Sequence, residues 1–144
     1  MHKHILAICL ASAFGIQHLH AQCTPKAQYA DSSAGVWPSI VENLPCAFAD
    51  NPNGYSTAID IKTLTDTTIS YMGQSFVASI RAIKISDYSG LPEGFTFAPN
   101  QPVWENGGSS PNFTPVQGCI SIEAPASAVQ LLSNANPNGI DYNL

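Results

Sequence analysis

Residues 89–123 read SGLPEGFTFAPNQPVWENGGSSPNFTPVQGCISIE. Ser89-Gly90 and Pro92-Glu93-Gly94 place turn chemistry on both sides of Leu91, since Gly tolerates positive φ and Pro presets φ near −65°. Phe95-Thr96-Phe97 then alternates apolar and polar. A loop rich in Gly, Pro and Asn follows over 99–118, and Cys119 to Glu123 (CISIE) alternates again. Turn, strand, long loop, strand is the grammar of an antiparallel β-sandwich.

Upstream, Tyr55 to Ile61 (YSTAIDI) puts Tyr55, Thr57, Ile59 and Ile61 on one face and Ser56, Ala58 and Asp60 on the other, the pattern of a half-buried strand. The segment TTISYM (67–72) alternates likewise, and Gly73-Gln74 fits a two-residue hairpin turn with Gly first. In the returning SFVASIRAIKIS (75–86), Phe76, Ala78 and Ile80 share one parity and Ile83 and Ile85 the other. A bulge near Arg81-Ala82, or a strand covered on both faces, accounts for the switch.

Upstream, Cys23 to Ala34 leads in, with one edge strand expected around Gln28 to Ala30. Pro38, Pro45 and Pro52 exclude a long helix from 35–53, where Trp37, Ile40, Leu44 and Phe48 are expected to cap the core from a loop. Downstream, Ala126 to Asn134 is the one helix candidate. Pro125 precedes it, and Ala128, Leu131 and Leu132 form its buried side. Asp141 to Leu144 (DYNL) starts a last strand that reads as truncated, so the chain is expected to be the N-terminal part of a longer precursor.

Residues 1–21 read as a secretory signal. Lys3 makes a positive start, Ile5 to Ile16 an apolar stretch too short to span a bilayer, and Ala21 the end of a cleavage site. The remaining 22–144 is one domain's length. All four histidines (His2, His4, His18, His20) fall in the leader, and so does Cys9. The exported chain therefore has no Ser-His or Cys-His nucleophile and no His-bound zinc. Four basic residues then face ten acids, which excludes a phosphate-backbone footprint and makes nucleic acid an unsuitable partner. Cys23, Cys46 and Cys119 remain in an oxidising compartment. One disulfide and one leftover thiol are expected, with all three pairings open.

Candidate sites are few. Asp50-Asn51-Pro52-Asn53-Gly54, with Asp60 further on, resembles a calcium loop, with Asp50, Asn53 and Asp60 as ligands, though Asn-Pro and Asn-Gly are equally plain turn chemistry. NPNG recurs at 136–139, followed by Asp141. Glu93, Glu105 and Glu123 carry no spacing that pairs two of them for glycoside hydrolysis. Trp104 and Phe113, with Tyr88 nearby, offer an aromatic platform for a glycan or a cell-surface protein, unless Trp104 folds back into the core. Asn112-Phe113-Thr114 is a glycosylation sequon, and Asp66-Thr67-Thr68 resembles a short O-glycosylation signal.

SGLPEGFTF, GCISIEAP and GIDYNL together resemble the immunoglobulin-like (cadherin-like) repeats of bacterial secreted proteins. The similarity covers Ile85 to Leu144. The leader, the Cys-Pro start, GVWP and NLP resemble exported proteins of the Bacteroidota. The resemblance implies an Ig-like antiparallel sandwich of long loops and at most one short helix, in a role as spacer or binding module. The expected function is a secreted or cell-surface, non-catalytic structural or adhesive module. The alternative is a carbohydrate- or calcium-dependent binding domain using the 99–118 loop.

Overall fold

The computed structural model describes residues 23–39 and 41–139; the expected leader, Ile40 and the strand expected at 141–144 lie outside the described residues. Over the described residues the protein is antiparallel β with one short helix. After a 3-10 turn at Ala27–Tyr29, the strands are β1 (Gly35–Trp37), β2 (Tyr55–Lys62), β3 (Asp66–Tyr71), β4 (Gln74–Ser79), β5 (Ala82–Ile83), β6 (Thr96–Pro99), β7 (Trp104–Glu105), β8 (Gly107–Ser109), β9 (Asn112–Thr114) and β10 (Gln117–Ala124). The helix α1 (Ala126–Ala135) follows. The main sheet has the order β1-β2-β10-β6, and β3-β4, β5-β7 and β8-β9 form separate two-stranded ladders.

Register sorts the sheet into two faces. Val36 opposes Ile61, and Ile61 opposes Gly118; Ile59 opposes Ile120; Thr57 opposes Ile122, which opposes Phe97. These side chains make one apolar face, as the period of residues 55–61 predicts. The other face carries the row Trp37–Asp60–Cys119. Residues 118–122 are buried without interruption, so the middle of β10 has no solvent side and both faces need a cover.

Trp104 covers one end of the apolar face. It is 1% exposed, and its Nε1 donates to Asn100 Oδ1 (3.0 Å), which also accepts from the Cys119 amide (3.0 Å). The indole lies so close to Gly118 that a methyl group added there would overlap the ring. Residues 85–91 run across the rest of that face. The opposite face is covered by residues 23–32. Cys23 is disulfide-bonded to Cys119, and Tyr29 stacks on Trp37 at 4.5 Å. The Lys26 amide donates to Asp60 Oδ1 (2.8 Å), and Lys62 Nζ donates to the carbonyls of Ala30 and Ser32. Arm residues 27–29 thus form a helical turn rather than the expected edge strand, because side chains and a disulfide hold them flat on the sheet instead of a ladder.

Other expectations change as well. Residues 75–86 are two strands, not one bulged strand: β4 pairs with β3 and β5 with β7, so the parity switch marks a change of partner. The hairpin turn is Met72-Gly73 rather than Gly73-Gln74, since Tyr71 pairs with Gln74. Both turn residues have positive φ (51° and 77°), the geometry whose twist suits a tight hairpin. In α1, Ala128 and Val129 are buried against Ala124, Tyr55 and Phe95, while Leu131 is 70% exposed. Short side chains let the helix sit close to the sheet end, which turns Leu131 outward. Phe48 is likewise exposed, and Trp37 stands on a strand rather than a loop.

Trp104→Ala is expected to cost about 3–5 kcal/mol and Gly118→Ala about 1–3 kcal/mol, from a cavity and a clash respectively. Denaturant unfolding measures both, and values near zero would place the indole outside the core. Replacing Cys23 and Cys119 by Ser opens a loop whose ends are 96 residues apart. That change is expected to lower stability by about 4–5 kcal/mol, read in the same experiment.

Candidate functional site

Among the described residues, the hairpin β3-β4 stands apart from the main sheet and is exposed along nearly its whole length. Its pairs run Thr67–Ala78, Ile69–Phe76 and Tyr71–Gln74 on one face and Asp66–Ser79, Thr68–Val77 and Ser70–Ser75 on the other. One face is therefore aromatic and aliphatic; the other is mainly hydroxyls around Val77. Tyr71 is 69% exposed, Val77 73% and Met72, at the tip, 86%, with Ile69 and Phe76 about half exposed. A two-stranded ribbon alone in water is marginal, and an apolar face left open on one marks a contact surface.

The ribbon is rooted firmly. Its base is closed by the Ile80 amide donating to the Thr65 carbonyl (2.8 Å). The buried Asn106 side chain donates from Nδ2 to the carbonyls of Leu64 and Ile80, both at 2.7 Å, and its amide donates to Arg81 (2.8 Å). Asn106 Oδ1 accepts from the Thr63 hydroxyl, which in turn accepts from the Val116 amide (2.8 Å). One amide side chain thus ties both legs of the hairpin to the segment leading into β10. Nothing in the sequence distinguished Asn106 from the other asparagines of that loop.

At the tip, Met72 holds φ +51°, a conformation that side chains other than Asn, Asp and Gly seldom adopt. A mostly exposed methionine in this position is locally unfavourable, which suits a residue kept for its contacts.

The residues singled out in the sequence are scattered. Trp104 is core, so it is not a platform; Phe113 is half-buried on β9; Tyr88 is exposed and stacks on Phe97 at 4.4 Å. The long loop that was to carry a binding face is folded into β7, β8 and β9 around that buried indole. Asp50 and Asn53 lie exposed in a turn closed on itself: Asn51 Nδ2 donates to the Gly54 carbonyl (2.7 Å), and the Asn53 amide donates to Asn51 Oδ1 (3.1 Å). Asp60 stands roughly 15–20 Å further along an extended strand. It is 2% exposed, and its second oxygen lies 3.6 Å from Lys26 Nζ. The three calcium candidates are therefore not brought together. Among the described residues no group of three or more His, Cys, Asp or Glu side chains is placed to hold a metal. Glu93 and Glu105 are exposed on separate elements, and Glu123 sits within β10. Asp66, Thr67 and Thr68 are exposed on β3. Cys46 is a free, exposed thiol.

Close to Cys46, the Tyr55 hydroxyl donates to the Pro45 carbonyl (2.9 Å). Burial raises the Tyr55 pKa above its ordinary value, the nearby Cys46 raises it further, and a hydrogen bond with Thr57 offsets part of this.

Comparison of the chain with family profiles, with curated proteins and with solved structures finds no match. Among the described residues no helix is long and apolar enough to cross a membrane.

A phenol whose pKa is higher in the folded state binds its proton longer there. Its contribution is therefore full below about pH 10 and is lost as pH rises through the raised value. Denaturation midpoints measured from about pH 9 to pH 11 are expected to fall more steeply for the native protein than for Tyr55→Phe. Equal slopes would remove Tyr55 from the alkaline behaviour.

Proposed function

We propose that the protein is an exported, non-catalytic structural module that assembles with further copies of itself through the β3-β4 hairpin. The observation that carries this reading is the open apolar face of Ile69, Tyr71 and Phe76, with Met72 at its tip. Charge favours a second copy as the occupant. The chain as a whole is acidic, yet residues 66–79 contain one charged side chain, Asp66, at the base of the ribbon. Two acidic molecules meeting at this ribbon bring their most neutral surfaces together. Shape favours it too. Stacking two identical apolar faces about a two-fold axis covers both faces at once. The Cys23–Cys119 disulfide agrees with an oxidising compartment, and the leader supports export. Binding through the 99–118 loop, the alternative raised by the sequence, has lost its main support with the burial of Trp104.

Sedimentation velocity on the chain from Gln22 is expected to show a monomer–dimer equilibrium at micromolar concentration. The double variant Ile69→Ser, Phe76→Ser is expected to remain monomeric with an unchanged near-UV spectrum. A native protein that stays monomeric to millimolar concentration, or a double variant that still dimerises, overturns the proposal.

A further inference from the structure

We infer that the trough on the apolar face of the main sheet is a binding site for a single uncharged aliphatic chain of about twelve carbons. The trough is partly open to solvent and offers about 330 Å³. Its floor is Ile59 and Ile61 of β2 and Ile120 and Ile122 of β10, and its roof is Ile85 and Leu91 of the 85–91 crossing. A dry apolar cavity of about 150 Å³ takes a benzene-sized molecule, so this one has room for roughly twice as many carbons. Its size also falls within the range of small-ligand pockets.

The register gives the shape. Val36 at one corner lies in the same row as Ile61, and Phe97 at the other lies in the row of Ile122, two rows along and three strands across. With strands about 4.8 Å apart and rows about 6.6 Å apart, the diagonal is roughly 20 Å. An elongated trough of this volume matches an extended chain better than a compact ring system.

Charge selects the head group. No Lys, Arg, Asp or Glu is among the residues that line the trough, and its surface is almost wholly apolar. In a chain with net charge −5, an anionic carboxylate in this trough finds no cation, whereas an alcohol or ester brings no charge to desolvate. The crossing also provides access. Tyr88 stacks on Phe97, and the Tyr88 amide is bonded only locally, to Asp87. The roof therefore rests on side-chain packing and can lift without breaking a ladder.

The test uses 1-decanol, with decanoate as the charged control, on the chain from Gln22. Saturable binding of 1-decanol by titration calorimetry is expected, with a melting temperature that rises with ligand concentration. Decanoate is expected to bind at least about tenfold more weakly. Ile85→Trp, a change in the roof that fills the trough and leaves the sheet intact, is expected to weaken 1-decanol binding at least about tenfold while retaining native stability. Leu91→Ala should weaken it as well, should the tryptophan variant fail to fold. Binding is expected to survive in the Ile69→Ser, Phe76→Ser double variant, which separates this site from the hairpin. Three results overturn the inference: no saturable binding, binding unaffected by both roof variants, or decanoate binding as tightly as the alcohol. So does a chain ending at Gly139 that binds 1-decanol when the chain ending at Leu144 does not. In that case the trough is the seat of this protein's own last residues.

Discussion

One strand of this protein has no side facing water, and much of the architecture follows from that. Residues 118–122 of β10 are buried in succession, with apolar side chains on one face and Cys119 and Ser121 on the other. Each face is covered by a different kind of contact. On the apolar side the cover is an indole and a crossing segment, held by shape and by exclusion of water. On the other side it is an arm of about ten residues held by a disulfide, an ion pair and lysine–carbonyl bonds. The arm can be polar because its bonds converge on two neighbouring rows of one face, Trp37–Asp60–Cys119 and Gly35–Lys62–Gln117.

Two buried polar side chains divide the work of joining the covers to the sheet. Asn106 uses both of its side-chain N–H donors on carbonyls from two different legs of the hairpin, and its oxygen accepts from Thr63. A fully bonded amide of this kind fixes loop geometry that apolar packing alone leaves open. Asp60 is bonded less completely. One oxygen accepts from the Lys26 amide, while the other has only the Lys26 ammonium at 3.6 Å. The ammonium end is mostly in solvent, so the carboxylate is held by one strong bond and a screened charge.

The parts of this structure legible in the sequence are those where one local rule decides. The parity of residues 55–61 gave the faces of β2, the alternation at 119–123 located β10, and Pro125 marked the start of α1. The parts that stayed hidden are set by partners distant in the chain. The parity switch at Arg81-Ala82 looks the same whether a strand bulges or changes partner. Leu131 points outward because Ala128 and Val129 pack more closely, which helical period alone does not reveal. Trp104 stands among prolines and glycines, where the sequence left both an exposed platform and a core position open; Gly118, fourteen residues on, leaves the gap that receives it. The cysteine pairing was open for the same reason: only the register of β10 beside β2 shows which face Cys119 occupies. The hairpin was recognised as a strand pair, but periodicity does not report whether an apolar face is later covered.

The pairing of β2 with β10 has a consequence for the order in which the chain can fold. These strands are the centre of the sheet, yet some fifty residues separate them, and the arm that seals them begins still earlier. Contacts of such long sequence separation form slowly, because the closure entropy precedes any gain from packing. The β3-β4 ribbon lies between them and closes through a two-residue turn, so it can form while β10 is still being delivered. During that interval its apolar face and the bare isoleucines of β2 are open together. The protein is thus most prone to join the wrong neighbour before β10 arrives.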